Sequence, residues 1–445
     1  MAKKSAIIVG GGLSGMTTAY RLKQAGYQVT VFEKCPQPEG RNKSVRVGDC
    51  IIDVSATLMG PTYDQVFALI DELGLNDQLE ECHGNTATFR DGKMHLLSID
   101  SPNMSLVKTG LLSLRSKIAL LKLQWLLMKY AKKHNFYNLG TMAGTDNETL
   151  YEYCKRNFPD EVYEYLLNPM HKFLYLHDGK YGAVVELFWW MHTMGTTAAR
   201  SFKYGTSTLV KKLAENIDVR CNHTVQNVGH EGGRAHVTVE HDGKVEQFSA
   251  DVCVISTQGP ITARIYPSGM TSEQHEFVAS RHYERVTVVS FCTSVRPKRD
   301  VVTIQTPSSQ FPDIGVIIYA HKIASTRAPA DKGIINVYFQ NEWALRHQHL
   351  SDQDLMEAAR KEIVDLVPEV ADIDGFHVQR WEHVAPIHEM GACAKIDKFI
   401  KSLDPTSPVQ LIGDYMVCPS MNVAVTLANR ISARIIEQHN IKKAA

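Results

Sequence analysis

The first 33 residues of the chain hold a strand, a glycine turn, a helix, a second strand and an acid, in that order. The turn reads G-G-G-L-S-G over residues 10–15, and the second apolar run ends at Glu33. In this setting Gly10 permits a tight turn, Gly12 lets the backbone approach a pyrophosphate, and Gly15 lets the helix pack closely on the sheet. The order therefore predicts a Rossmann-type βαβ unit.

The same unit carries the groups that a dinucleotide requires. The helix begins near Ser14, so its free N–H groups and the positive end of its dipole can hold a pyrophosphate. Glu33 lies 18 residues after Gly15, where a carboxylate can accept hydrogen bonds from ribose hydroxyls. We therefore expect a bound dinucleotide, with Leu13 and Lys34 beside these residues in its site.

Composition narrows the class of protein. A chain of 445 residues is long enough for two domains. Lys+Arg and Asp+Glu both number 48, so no net field would recruit nucleic acid. The nine cysteines form no C-x-x-C pair, which is typical of reduced thiols and predicts neither a disulfide framework nor a metal site. The N-terminal stretch is interpreted as a first strand, and no apolar run reaches membrane-span length, so we expect a cytoplasmic protein.

Further motifs give the chain a family resemblance. Gly40-Arg41 follows the first unit, and an arginine placed there can reach a pyrophosphate oxygen with its forked donors. Together with the glycine turn and the ribose acid, this order resembles the flavin-containing amine oxidase and protoporphyrinogen oxidase superfamily, in which a G-G-R element follows. Glu39 stands here in place of the first glycine of that element.

The resemblance covers nearly the whole chain. Residues 205–209 are similar to the family's G-G-x-x-x-L segment, residues 251–257 to its strand returning to the nucleotide domain, and residues 381–391 to the stretch beside the isoalloxazine. Gly413-Asp414 resembles the closing G-D element, whose carboxylate binds the ribityl chain. The last helix would then direct its N-terminus at the flavin. The resemblance implies FAD as the cofactor, and the residues it adds to the site are Val225, Thr257, Trp381, Gly413, Asp414, Asn422 and Val423.

The implied fold is α/β (α+β): a Rossmann-type FAD-binding domain interleaved with a substrate domain made of a mixed sheet and a helical insert. No low-complexity linker separates the two. Within the insert, residues 106–130 carry one long apolar helical face. The predicted segments are FAD-binding at 1–95, 204–260 and 391–445, helical at 96–203, and the substrate sheet at 261–390.

One motif raises the question of covalent attachment. Residues 391–393, G-A-C, are superficially similar to the G-G-C that anchors flavin in some amine oxidases. The cysteine comes about three residues later than that spacing requires, and a buried thiol is the competing interpretation. We expect non-covalent FAD, with Cys418 near the ring in a packing role.

Flavin bound in this way takes a hydride at N5, and the sequence leaves the catalytic residues open. Trp381, His192 and Arg285 are candidates. Arg285 lies in the strand where monoamine oxidases carry a lysine, and no lysine is apparent there, which weakens an amine oxidase interpretation. The aromatic runs at 173–175 and 188–192 can line an apolar pocket or form core.

The sequence thus predicts an FAD-dependent oxidase or dehydrogenase that acts on a C–N or C–C bond of a small, largely apolar metabolite. Amine oxidation, desaturation or ring aromatisation in biosynthesis would fit, with O2 or another electron acceptor. The alternative is a protoporphyrinogen oxidase-type or carotenoid desaturase- or isomerase-type enzyme that uses an acceptor other than oxygen. A homodimer is also expected. Basic residues flank the apolar face of residues 115–129, which fits either peripheral membrane contact or a solvated charged face.

Overall fold

The computed structural model describes residues 3–194 and 199–444. Its strands are β1 (Ser5–Val9), β2 (Gln28–Phe32), β3 (Ser44–Val47), β4 (Cys50–Asp53), β5 (Leu79–Glu81), β6 (Asn85–Arg90), β7 (Lys93–Ser98), β8 (Arg200–Phe202), β9 (Asp218–Arg220), β10 (Thr224–Glu231), β11 (Arg234–His241), β12 (Lys244–Ala250), β13 (Val252–Ile255), β14 (Tyr283–Thr293), β15 (Thr303–Gln305), β16 (Ile314–Tyr319), β17 (Gly333–Phe339), β18 (Ile373–Pro386) and β19 (Val409–Leu411). The helices are α1 (Leu13–Gln24), α2 (Asp64–Glu72), α3 (Pro102–Lys108), α4 (Leu114–Lys133), α5 (Leu150–Asn157), α6 (Asp160–Val162), α7 (Asn168–Tyr175), α8 (Val185–Met194), α9 (Ser207–Ala214), α10 (Gly259–Ile265), α11 (Ser272–Ala279), α12 (Asn341–Arg346), α13 (Asp352–Ile363), α14 (Ala392–Ser402) and α15 (Met421–Ala444).

A five-stranded parallel sheet, in the order β19-β13-β1-β2-β9, draws on three distant parts of the chain. Each of its strands is short, and all but the edge strand β9 are mostly apolar, as expected where both faces of a parallel sheet are covered. Helices α1, α2, α9 and α15 pack together on one face. Because β1 lies in the middle of this sheet, the glycine turn that follows it lies at the centre of the sheet's carboxyl edge, where ligands of such folds bind.

A seven-stranded mixed sheet, in the order β18-β14-β17-β16-β15-β6-β7, forms the second layer. Its pairs are antiparallel except β15 with β6. An apolar cluster joins the sheet to α12 and α13, and α7 packs on β15 and β16. The chain enters this sheet at Asn85, before the predicted boundary at residue 95, because β6 extends the sheet beside β15.

The helical insert differs from its prediction at one place. The apolar face expected over residues 106–130 is divided between α3 and α4. The division falls where Ser113 caps α4 by accepting the N–H of Ser116 at 3.3 Å, and such side-chain caps favour a helix start. Among the described residues, no helix is both long and apolar enough to cross a membrane.

Candidate active site

One elongated cavity of about 830 Å³ lies between the carboxyl edge of the parallel sheet, the face of the mixed sheet and α7. It brings together residues that are more than 400 positions apart in the sequence. We use two names for its ends: the nucleotide end, at the glycine turn, and the chamber, between α7 and the mixed sheet. The predicted site residues that line the cavity are Gly10, Gly12, Leu13, Ser14, Glu33, Lys34, Gly40, Arg41, Val225, Thr257, Trp381, Gly413, Asp414 and Val423.

Close backbone contacts build the nucleotide end. A Cβ on Gly40 would lie 2.9 Å from Gly12 Cα, so the turn that carries Arg41 packs directly on the glycine turn. Gly15 does not line the cavity. A Cβ there would lie 2.0 Å from the Gly10 carbonyl oxygen, so Gly15 serves the contact between helix and strand that the motif predicts.

The start of α1 fits a phosphate group. Gly12 occupies the N-cap position without a side-chain cap, and the first turn contains no acid. In the described part of the chain, the Ser14 hydroxyl is buried without a hydrogen-bond partner, although buried polar groups are normally bonded. Free N–H groups, the helix dipole and this hydroxyl all favour an anion at the same place.

Glu33 has acceptor capacity left for a sugar. Its two carboxylate oxygens accept the N–H groups of Gly11 at 2.6 Å and Cys35 at 2.8 Å. An ionised carboxylate offers about four lone-pair positions. The side chain also lines the cavity, so its remaining positions can receive two ribose hydroxyls.

Arg41 and Asp414 line the cavity as an ion pair, and Tyr283, which is not among the lining residues, bonds to Asp414 from behind. The Arg41 guanidinium donates to one Asp414 oxygen and to the Val384 carbonyl, and the Tyr283 hydroxyl donates to the other Asp414 oxygen at 2.6 Å. Burial by itself lowers the pKa of Arg41, but Asp414 and Tyr283 raise it above its ordinary value. Burial and then Asp414 raise the pKa of Tyr283, so its hydroxyl stays a donor. The sequence offered no signal for Tyr283, whose role depends on strand pairing.

The chamber is apolar. Trp381 stands at its junction with the nucleotide end and donates from Nε1 to the Val54 carbonyl at 2.8 Å. The aromatic run at 173–175 is divided: Phe173 and Leu174 line the chamber, whereas Tyr175 is buried core. The run at 188–192 lines no part of the cavity, and its first three residues belong to the core. The chamber is lined by Thr57, Leu58, Phe173, Leu174, Leu176, Val316, Ile318 and Tyr338.

Several predicted residues lie outside the cavity. Asn422 is fully buried and accepts the N–H groups of Gln65 and Val66, both at 3.0 Å. It therefore caps α2 and ties that helix to α15. His192 stacks on Phe136 with ring centroids 4.1 Å apart, and Arg285 lies at an irregularity between β14 and β18; neither lines the cavity.

The two cysteines considered for the flavin are also outside the lining. Cys393 is fully buried in the first turn of α14, where its N–H donates to Asp146 at 2.7 Å. Cys418 is fully buried 3.8 Å from His388 Nε2. Burial raises the pKa of both thiols, which keeps them in the unreactive protonated form.

A family model described as flavin containing amine oxidoreductase matches residues 13–436. The chain belongs to this family. It is therefore a flavin-dependent oxidoreductase, and the dinucleotide expected from the glycine turn is FAD.

Relatives and solved structures agree with this assignment. The chain is 31% identical over 168 residues to protoporphyrinogen oxidase 2, chloroplastic/mitochondrial, of Arabidopsis thaliana, across 37% of this chain and 31% of that protein. It is 41% identical over 70 residues to the 1-hydroxycarotenoid 3,4-desaturase of a Flavobacterium species, across 16% and 13%. Cyclohexylamine oxidase from Brevibacterium oxydans shares the fold, with a TM-score of 0.77 and 17% identity over 99% and 100% of the two chains. The two curated matches span a third or less of the length of those relatives. The family model confirms the predicted family, and the structural match confirms the predicted fold.

The flavoprotein site contains a histidine that sequence reasoning missed. His383 lines the cavity, and its ring centroid lies 5.5 Å from that of Tyr283. Burial lowers its pKa, so the imidazole is neutral near pH 7 and can accept a proton. A signal existed: residues two apart in a strand share a face, and Trp381 was already assigned to this face.

Behind the chamber of the flavoprotein, Glu186 is surrounded by three imidazoles. His171 Nε2 lies 2.8 Å from Oε2, His177 Nε2 lies 3.3 Å from Oε2, and His388 Nδ1 lies 3.0 Å from Oε1. We call these four residues the Glu186 cluster. Burial by itself raises the pKa of Glu186, but the imidazoles hold it well below its ordinary value. Burial lowers the pKa of His177, and Glu186 more than reverses this and raises it to about 9.

The Glu186 cluster is a buried ion pair of Glu186 and His177, with His171 and His388 hydrogen-bonded to the carboxylate. His171, His177 and Glu186 place atoms that can bind a metal within 4.8 Å of one another. Two ligands of one tetrahedral zinc lie about 3.3 Å apart, whereas the 2.8 Å contact of His171 is a direct hydrogen bond. His388 Nε2 also lies 2.7 Å from the Val417 carbonyl. The cluster thereby joins α7 and α8 to the segment that precedes α15.

Proposed function

We propose that this flavoprotein oxidises a small, largely apolar metabolite by taking a hydride from a carbon bonded to nitrogen or carbon. The observation that carries the proposal is the continuity of the cavity. One opening runs from the glycine turn and Glu33 to a chamber walled by Phe173, Leu174 and Ile318. A cofactor at the nucleotide end and an apolar molecule in the chamber would meet near Trp381.

The chain's own residues fit FAD at the nucleotide end. The start of α1 and Ser14 would hold the pyrophosphate, Glu33 the adenosine ribose, and Asp414 the ribityl chain. Arg41 would hold the Asp414 carboxylate in place. When bound, FAD supplies a hydride acceptor, and the protein supplies orientation and exclusion of water.

The absence of charged side chains among the residues that line the chamber favours an uncharged substrate. The eight residues that line the chamber carry no formal charge, and burying an unpaired ion there would be costly. An amine would therefore enter deprotonated, or the oxidised bond would lie between carbons. In this proposal His383, which lines the cavity and whose pKa is lowered by burial, accepts a proton from a substrate N–H.

The volume of the cavity favours a small metabolite over a tetrapyrrole or a long polyene as the substrate. Sites for a single drug-sized ligand occupy about 300–1,000 Å³. The cavity of about 830 Å³ has to hold both the dinucleotide and the substrate. This supports the leading prediction over the protoporphyrinogen- or carotenoid-type alternative, although relatives of both names share part of the sequence.

An anaerobic screen tests the proposal. Purified holoprotein is mixed without oxygen with uncharged cyclic amines, pyrrolines, porphyrinogens and polyenes, and loss of the oxidised flavin absorbance is followed. We expect the small amines or pyrrolines to bleach the flavin. Bleaching by porphyrinogens or polyenes alone would overturn the substrate class. The electron acceptor, the homodimer and the cytoplasmic location stay predictions.

A further inference from the structure

Helix α4 has two apolar faces, and only one of them is covered by protein. On the inner face Leu123 is buried and Tyr130 stacks on Phe188 with ring centroids 4.3 Å apart. This face joins the insert to the core. An ordinary surface helix has a single apolar stripe, so the outer face requires its own explanation.

The outer face exposes large apolar side chains in a row. Along α4 they are spaced four, three, four and three residues apart, which keeps them on one side of a helix. The neighbouring α3 adds two more. We call this set the α3–α4 stripe: Met104 is 55% exposed, Val107 67%, Leu114 73%, Ile118 59%, Leu121 66%, Trp125 57% and Met128 56%. Contiguous exposed apolar surface of this kind marks an interaction site.

The charged residues of α4 itself have one sign. The sequence of α4 contains Arg115, Lys117, Lys122 and Lys129 and no acid. Lys117 donates to the backbone carbonyls of Val107 and Thr109, and Lys122 donates to an asparagine amide, so no carboxylate neutralises either charge at these contacts. Lys129 lies 5.5 Å above the Trp125 ring. Long basic side chains can lie along apolar surface while their charged ends reach outward.

We propose that the α3–α4 stripe binds the surface of an anionic phospholipid bilayer. The apolar row would enter the boundary between headgroups and acyl chains, and the lysines would meet lipid phosphates. A second copy of the chain fits less well, because two identical stripes would bring their cationic rows together. This inference concerns a surface outside the cavity and does not depend on the reaction proposed above.

Vesicle binding by the FAD-loaded full chain tests the proposal. One set of vesicles is phosphatidylcholine alone and the other contains a quarter phosphatidylglycerol. We expect at least about tenfold tighter binding to the anionic set, weakened by salt, with a blue shift of Trp125 fluorescence. The double variant Leu121→Ser/Trp125→Ser should lose at least about tenfold of this binding. A matched control, Val245→Ser/Val295→Ser, removes two residues that are 59% and 64% exposed elsewhere and should bind as the wild type does.

Three results would overturn the proposal. Wild-type protein could stay in solution with both vesicle sets, the stripe and control variants could bind equally, or the stripe variant could convert a dimer into a monomer in light scattering. Flavin content and anaerobic flavin reduction are measured on the same samples without vesicles. They report on the proposed function separately from the surface.

Discussion

Arg41 and Asp414 form an ion pair across 373 residues of sequence. Arg41 follows the first βαβ unit and Asp414 follows the last strand of the same parallel sheet, so the pair closes the nucleotide end from both sides. The exposed fractions of the two side chains are 29% and 8%. Such partly buried pairs are sensitive to the loss of one partner.

Replacing Asp414 should weaken FAD binding. Asp414→Ala removes the expected ribityl contact and leaves both Arg41 and the Tyr283 hydroxyl without this partner. We expect about 100-fold weaker binding, or roughly 3 kcal/mol, measured by equilibrium dialysis of the reconstituted protein. The control Asp251→Asn alters a carboxylate that bonds Ser5 and does not line the cavity. Unchanged FAD affinity in Asp414→Ala would show that the cofactor lies elsewhere.

Tyr283→Phe isolates a smaller effect. It removes the hydrogen bond to Asp414 and the one accepted from the Gly259 N–H at 3.2 Å, and it keeps the Arg41 pair. We expect FAD affinity to fall about fivefold, or roughly 1 kcal/mol. Tyr266→Phe is the matched control, because the Tyr266 hydroxyl bonds His230 away from the cavity. If Tyr283→Phe and Tyr266→Phe bound FAD with equal affinity, Tyr283 would have no role in FAD binding.

The Glu186 cluster predicts a pH dependence of stability. Glu186, whose pKa is depressed, stabilises the fold above its ordinary pKa of 4.5 and loses this effect in acid. His177, whose pKa is raised from 6.5 to about 9, stabilises it fully below pH 6.5 and loses this effect as the pH rises through about 9. The contribution of the Glu186–His177 ion pair is therefore greatest between pH 4.5 and 6.5.

Glu186→Gln and His177→Gln test this dependence. We expect Glu186→Gln to lose about 3–5 kcal/mol at pH 6, and both variants to lack the wild-type decline of about 3 kcal/mol between pH 6.5 and 9. Thermal unfolding midpoints at a series of pH values measure both effects. Glu215→Gln changes an exposed acid and should follow the wild type. A variant with the full wild-type decline would contradict the charge assignment.

Acid precipitation tests the expectation of non-covalent FAD. Because Cys393 and Cys418 are buried and do not line the cavity, all the yellow colour should remain in the supernatant. Cys393→Ala should keep wild-type flavin content. Colour retained in the protein pellet, and lost in Cys393→Ala, would establish a thioether link instead.

Local sequence patterns predicted the parallel sheet well. The first strand, the glycine turn and the second strand are confirmed, because each strand is an apolar run with a clear stop signal. Two features could not be predicted this way. The entry of β6 into the mixed sheet depends on pairing with a strand more than 200 residues later, and the break before α4 depends on a capping contact.

In the candidate site, too, local sequence patterns predicted some residues and long-range contacts determined the others. Glycines and acids at fixed spacings located the residues that line the nucleotide end, since the backbone geometry there is local. Asn422 was expected at the cofactor but caps α2, because the first residues of a helix can face either a ligand or a neighbouring helix. Tyr283 reaches Asp414 through the pairing and register of two long strands, which one sequence does not specify.

The rate of anaerobic flavin reduction in Leu174→Trp tests most directly whether the chamber presents substrate to the flavin. Leu174 lines the chamber and lies outside the nucleotide end, so the larger side chain should fill substrate space and leave FAD bound. With a compound that bleaches the wild type, we expect unchanged flavin content and a reduction rate at least about tenfold lower. A fully loaded variant reduced at the wild-type rate would contradict the placement of the substrate.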